Sequence, residues 1–175
     1  MKLSRKDKKQ LQESEKQRIK EIFQSFDTDG SGDIDKNEFL EGMKGYFNLT
    51  NMSYANDFDH IFVTIFNLAD KASLFRKKNG TLDVKEFTKV IKAIPSDFNP
   101  NDMTDINQQR IIGETLFNMI DDNGNQSISK SEFQKLCKYL NYDKKTTSSA
   151  YKTIDEDNSH SISLEEFLRW FGEQK

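Results

Sequence analysis

The stretch Asp27-Thr28-Asp29-Gly30-Ser31-Gly32-Asp33-Ile34-Asp35-Lys36-Asn37-Glu38 decides the fold. It returns as Asp121-Asp122-Asn123-Gly124-Asn125-Gln126-Ser127-Ile128-Ser129-Lys130-Ser131-Glu132 and as Asp155-Glu156-Asp157-Asn158-Ser159-His160-Ser161-Ile162-Ser163-Leu164-Glu165-Glu166. Each copy is twelve residues long, opens on Asp, closes on Glu and has Ile at its eighth place. Internal repeats organise a chain before anything else does.

The flanks repeat as well. One residue after each closing Glu stands Phe39, Phe133 or Phe167. Four before each opening Asp stands Phe23, Phe117 or Tyr151, and one before it Phe26, Ile120 or Ile154. Apolar residues at three- and four-residue spacing mark one helix face, so each loop sits between an entering and a leaving amphipathic helix. Helices are expected over about 4–26, 36–47, 55–69, 84–94, 104–120, 130–140, 146–154 and 164–173. The eighth-place Ile34 is expected to pair with its counterpart in the neighbouring loop as a short strand.

A fourth, damaged copy lies between the first two. Asn79-Gly80-Thr81-Leu82-Asp83-Val84-Lys85-Glu86-Phe87 matches the second half of the pattern. Counting twelve back from Glu86 reaches Phe75, which offers no oxygen; ending the preceding helix at Asp70 fits Phe66 and Ala69 better. The loop then runs from Asp70 to Glu86 with five extra residues, and Lys71, Arg76, Lys77 and Lys78 in that region oppose a cation. It is expected to be a metal-free partner for the first loop.

Oxygens at places 1, 3, 5, 7, 9 and 12 suit calcium. That ion takes six to eight of them at roughly 2.3–2.6 Å, the seventh place giving a backbone carbonyl and the twelfth a bidentate Glu. The candidate ligands are Asp27, Asp29, Ser31, Asp33, Asp35 and Glu38; Asp121, Asn123, Asn125, Ser127, Ser129 and Glu132; and Asp155, Asp157, Ser159, Ser161, Ser163 and Glu166. Gly32 fills the sixth place, where a positive φ is needed and Gly carries no steric penalty. Gln126 and His160 stand there in the other loops, at a cost on the order of 1–2 kcal/mol. Side-chain carboxylates at the ligand places favour Asp27–Glu38, then Asp155–Glu166, then Asp121–Glu132, and that is the expected order of affinity.

These residues resemble the EF-hand motif, over four units and nearly the whole length. The resemblance implies an all-α fold of helix-loop-helix units in two paired halves, with the second unit degenerate. The layout is most similar to the sarcoplasmic calcium-binding proteins and the calcium-regulated photoproteins. The halves are expected at 1–96 and 103–175, joined by a linker at 97–102 around Pro95-Ser96-Asp97-Phe98-Asn99-Pro100.

Composition narrows the rest. The 175 residues carry 26 Lys plus Arg against 29 Asp plus Glu, a net charge of -3 that argues against a nucleic-acid partner. Fourteen Phe argue against disorder. No apolar run of about 18 residues exists, so no membrane span is expected. Residues 1–6 contain no apolar stretch, so no secretory signal is expected. Lys2 stands where myristoylation needs a glycine, so that modification is not expected either. The single Cys137 favours a reducing, cytoplasmic compartment and is expected in the core. His60 is expected half-buried and His160 exposed, the mixed charges of residues 5–20 are read as a solvated helix face, and no nucleophile-and-base pair suggests an enzyme.

Three functions fit. One is a monomeric calcium buffer with three working sites, which magnesium could fill at rest. The second is a sensor that opens an apolar groove for an amphipathic target helix. The third, a coelenterazine-type photoprotein, needs an enclosed apolar cavity with several His, Trp and Tyr bonding the ligand, against two His, one of them inside a loop, and one Trp here. Scattered Met and abundant Phe favour the buffer.

Overall fold

Each unit opens with a helix whose last turn is apolar and closes with one whose first turn is held by a side chain. In the computed structural model, residues 4–50, 52, 55–70, 79–99, 105–140 and 142–172 are described. Among them the helices are α1 (Arg5–Phe26), α2 (Lys36–Tyr46), α3 (Asp59–Ala69, after a 3₁₀ turn Ala55–Phe58), α4 (Val84–Ala93), α5 (Asp105–Ile120), α6 (Lys130–Tyr139), α7 (Lys144–Ile154) and α8 (Leu164–Gly172).

The starts follow from capping chemistry. Asp35 accepts the Glu38 amide at 2.9 Å while Glu38 accepts the Asp35 amide at 2.9 Å. The same reciprocal box joins Asp83 to Glu86 and Ser129 to Glu132, and Ser163 and Glu166 exchange the same two bonds. The ninth and twelfth places of the repeat therefore start the leaving helix. Helix α7 begins two residues earlier than expected, because Asp143 accepts the Thr146 amide at 2.7 Å.

Short strands join the loops in pairs. β1 (Ile34–Asp35) runs antiparallel to β2 (Thr81–Leu82), with Ile34 opposite Leu82. β3 (Ser127–Ser129) runs antiparallel to β4 (Ser161–Ser163), with Ile128 opposite Ile162. The eighth-place residues meet as expected, and Ile34, Leu82, Ile128 and Ile162 are all fully buried.

The core is built of phenylalanine. Phe23 and Phe26 of α1 meet Phe87 of α4 edge-on, at 5.6 and 4.9 Å between centroids. Phe117 of α5 meets Phe167 of α8 at 5.6 Å. Such pairs add about 0.5–1.5 kcal/mol each beyond area burial. A β-carbon on Gly42 would overlap the Phe26 ring, so only glycine lets α1 and α2 approach this closely.

Helix α3 buries Ile61, Phe62, Ile65, Phe66 and Leu68 and touches α2, α4, α5 and α6. It packs the first pair of units onto the second. Asn118 donates to the Ala93 carbonyl at 2.8 Å, and Arg110 pairs with Asp97 at 2.9 Å. Within the stretch read as a linker, Phe98 stacks on Tyr46 at 5.3 Å; residues 100–104 lie outside the described ones. Cys137 is buried, as expected. His60 is exposed, against expectation, because Ile61, Phe62 and Ile65 take the core face of α3.

Candidate metal centres

Each loop begins where its entering helix stops. The amides of Asp27, Asp121 and Asp155 donate to the Phe23, Phe117 and Tyr151 carbonyls at 2.9, 2.9 and 3.0 Å. Their carboxylates turn back over the loop and accept the amide of the sixth residue. Gly32 donates to Asp27 Oδ2 at 3.0 Å, Gln126 to Asp121 Oδ2 at 2.8 Å and His160 to Asp155 Oδ2 at 3.2 Å. These bonds require a left-handed sixth residue, with φ of 89° at Gly32, 66° at Gln126 and 67° at His160.

The fourth place is also left-handed, at Gly30, Gly124 and Asn158. Sequence reasoning passed over it. The signal was there, since Gly and Asn are the residues that tolerate this region.

The closing glutamate spans each loop. Glu38 Oε1 accepts the amides of Thr28 at 2.8 Å and Asp29 at 3.2 Å, while Oε2 accepts that of Asp35. Glu132 takes the Asp122 and Ser129 amides at 3.0 and 2.9 Å, and Glu166 those of Glu156 and Ser163 at 2.9 and 2.8 Å.

Donated hydrogen bonds favour the ionised form. The Asp35 amide leads in holding Glu38 below its ordinary range. Amides of Ser31 and Ser159 lead in lowering Asp29 and Asp157. Burial pushes Glu132 and Glu166 up, yet the Ser129 and Ser163 amides and hydroxyls outweigh it and both lie low.

Carboxylate oxygens of Asp27, Asp29 and Glu38 converge within 4.8 Å of one another, and those of Asp155, Asp157 and Glu166 do the same. Like charges that close favour a cation between them, and an all-oxygen donor set fits a hard dication. In the first loop, Ser31 Oγ donates to the Asp33 carbonyl at 2.9 Å, and Asp35 caps α2. In the last, Ser159 Oγ donates to the Ser161 carbonyl at 2.9 Å and Ser163 Oγ to Glu166 at 2.7 Å.

The middle loop is weaker in charge. At the ligand places only Asp121 and Glu132 bring carboxylates, Asp122 being turned to Lys135 at 2.8 Å. The Asn123 amide nitrogen donates to Glu132 at 2.9 Å, and Asn125 Oδ1 accepts from the amide and hydroxyl of Ser127, both at 3.0 Å. Ser129 Oγ donates to Glu132 at 2.6 Å.

The degenerate unit keeps the same frame. Asp70 is buried at 1% exposure and accepts the amides of Asn79 at 3.3 Å and Gly80 at 3.1 Å. Gly80, with φ of 81°, is the counterpart of Gly32. Asp70 is thus the opening residue, not Phe75, and the extra residues fall within 71–78, outside the described ones. Thr81 Oγ1 reaches Asp33 Oδ2 at 3.4 Å, tying this unit to the first loop.

A family model for an EF-hand domain pair matches residues 114–172, and one for an EF hand domain matches residues 18–46. "Probable calcium-binding protein CML8" of Oryza sativa subsp. japonica is 29% identical over 77% of this chain and 78% of its own. Calcium-binding protein CML19 of Arabidopsis thaliana is 25% identical over 91% of this chain and 84% of its own. Calcium-loaded apo-aequorin from Aequorea victoria is 20% identical, with a TM-score of 0.38 over 89% of this chain and 87% of its own. The chain belongs to the EF-hand calcium-binding proteins.

Proposed function

We propose that the chain is a cytoplasmic calcium buffer with three working sites. The proposed ligands are Asp27, Asp29, Ser31, Asp33, Asp35 and Glu38 in the first site. Asp121, Asn123, Asn125, Ser127, Ser129 and Glu132 serve the second, and Asp155, Asp157, Ser159, Ser161, Ser163 and Glu166 the third. Bound calcium supplies the positive charge that each ring of oxygens lacks. The protein holds those oxygens in place through the sixth-residue amide and the second- and ninth-residue amides on the closing glutamate. The buried Cys137 thiol suits a reducing compartment.

One observation carries the buffer reading. The apolar faces that a sensor would uncover are packed on each other, Phe23 and Phe26 against Phe87 and Phe117 against Phe167, with α3 filling the space between the pairs. Exposure of both His60 and His160 tells against a photoprotein cavity.

The test is emission from an apolar-surface dye while calcium is added to chelator-stripped protein in millimolar magnesium. A flat or falling signal, with bound calcium confirmed, supports the buffer. A clear rise means that calcium opens a groove and the chain is a sensor for an amphipathic helix.

A further inference from the structure

Between α6 and α7 lies a cleft of about 760 Å³ whose lining includes none of the candidate ligand residues, although Lys130 directly follows Ser129. Its α6 wall is Lys130, Gln134 and Lys138, spaced by four residues and so on one helix face. Its other wall includes Tyr142, Asp143 and Lys144. All three lysines are exposed, and none is held in an ion pair among the described residues. Lys135, which points elsewhere, is neutralised by Asp122 at 2.8 Å. Asp143 is the one acid in the cleft, and its carboxylate is engaged by the Thr146 amide as the cap of α7. The cleft is therefore net positive on a chain whose net charge is -3.

Its shape selects among anions. Eight residues along α6 separate the Lys130 and Lys138 Cα atoms by about 12 Å, a spacing that two linked anionic groups match better than one. An extended peptide covers that distance in about four residues, so carboxylates four apart would meet both lysines while Lys144 closes from across. The Tyr142 ring, 40% exposed, offers an apolar contact beside them.

We propose that the α6–α7 cleft docks an acidic segment of a partner protein. Charge complementarity supplies the attraction, and the segment lies along α6 from Lys138 to Lys130. Docking there needs no opening of the helix pairs, so it stands apart from the choice between buffer and sensor.

The test is fluorescence anisotropy of a labelled hexaglutamate peptide with the full, calcium-saturated chain. The double variant Lys130→Glu/Lys138→Glu is compared with Lys16→Glu/Lys20→Glu, which reverses two exposed charges on α1. Helical content and calcium stoichiometry, measured alongside, keep folding separate from docking. The cleft variant should bind roughly tenfold more weakly, the α1 variant about as well as the parent. Binding should weaken between about 0.01 M and about 0.15 M salt. The proposal is overturned if hexaglutamate does not bind, if both variants lose equally, or if inorganic phosphate below a millimolar displaces the peptide. Tighter binding of a single-stranded oligonucleotide than of the peptide also overturns it.

Discussion

Gly113 of α5 lies directly against Phe171 of α8: a β-carbon at position 113 would stand 2.8 Å from the Phe171 Cδ1 and 2.8 Å from the Leu168 Cδ2. The entering helix of one unit and the leaving helix of the next thus meet through a missing side chain. Gly113→Ala should overpack this contact at a cost of about 1–3 kcal/mol and lower the Tm by roughly 5 °C. Gly45→Ala is the control, since Gly45 sits in α2 with nothing within 4 Å. It should be neutral or raise the Tm. Thermal unfolding of the two variants decides, and an equal effect would mean that the α5–α8 contact is not tight.

Backbone strain at the sixth place should show opposite signs in two loops. Gly32→Ala puts a β-carbon at φ of 89° where no atom crowds it, so the cost is conformational alone, about 1–2 kcal/mol. Gln126→Gly relieves a φ of 66°. Calorimetric calcium titration should find the first loop weakened roughly tenfold by Gly32→Ala, and the middle loop tightened by Gln126→Gly. Equal and negligible changes would mean that the sixth residue relaxes.

Acid should destabilise the calcium-free protein in a defined window. Glu38, Glu132 and Glu166 have folded pKa values below their ordinary 4.5. Between the two values the unfolded chain binds more protons than the folded one, so stability falls as pH drops through that window. The contribution is fully present above the ordinary value and is lost below the folded one. Denaturant midpoints should hold from neutral pH to about 5 and then decline. A decline that begins near pH 6.5 would point to histidine instead.

The Cys137 thiol should be inert in the native protein. Burial pushes its pKa up, and only a contact from Thr147 opposes that. A thiol reagent at neutral pH should label it only when denaturant opens the fold, at a rate that follows unfolding. Rapid labelling of the native chain would place Cys137 at the surface.

The loops were legible because every constraint in them is local. Asp27, Glu38 and Gly32 are read from spacing, and the ninth- and twelfth-place pairs that bind amides are capping boxes written in sequence. Ile34 and Ile128 meet their partners because each pair of loops is joined edge to edge. What was not legible depends on neighbours distant in the chain. Helix α3 is apolar nearly all round, so periodicity gave no exposed stripe on which to place His60. Phe98 stands in a stretch that reads as a connector, and only the fold brings Tyr46 and Phe47 against it, at 5.3 and 5.0 Å. The Asn123 amide that donates to Glu132 follows from side-chain orientation, which spacing does not encode.

The most direct test of the account is a count. Equilibrium dialysis of the chelator-stripped chain against calcium should saturate at about three ions per chain. Glu38→Gln, Glu132→Gln and Glu166→Gln should each remove one, with Glu38→Gln removing the tightest. Saturation at one or two ions, or a Glu38→Gln variant that keeps the tightest site, would contradict it.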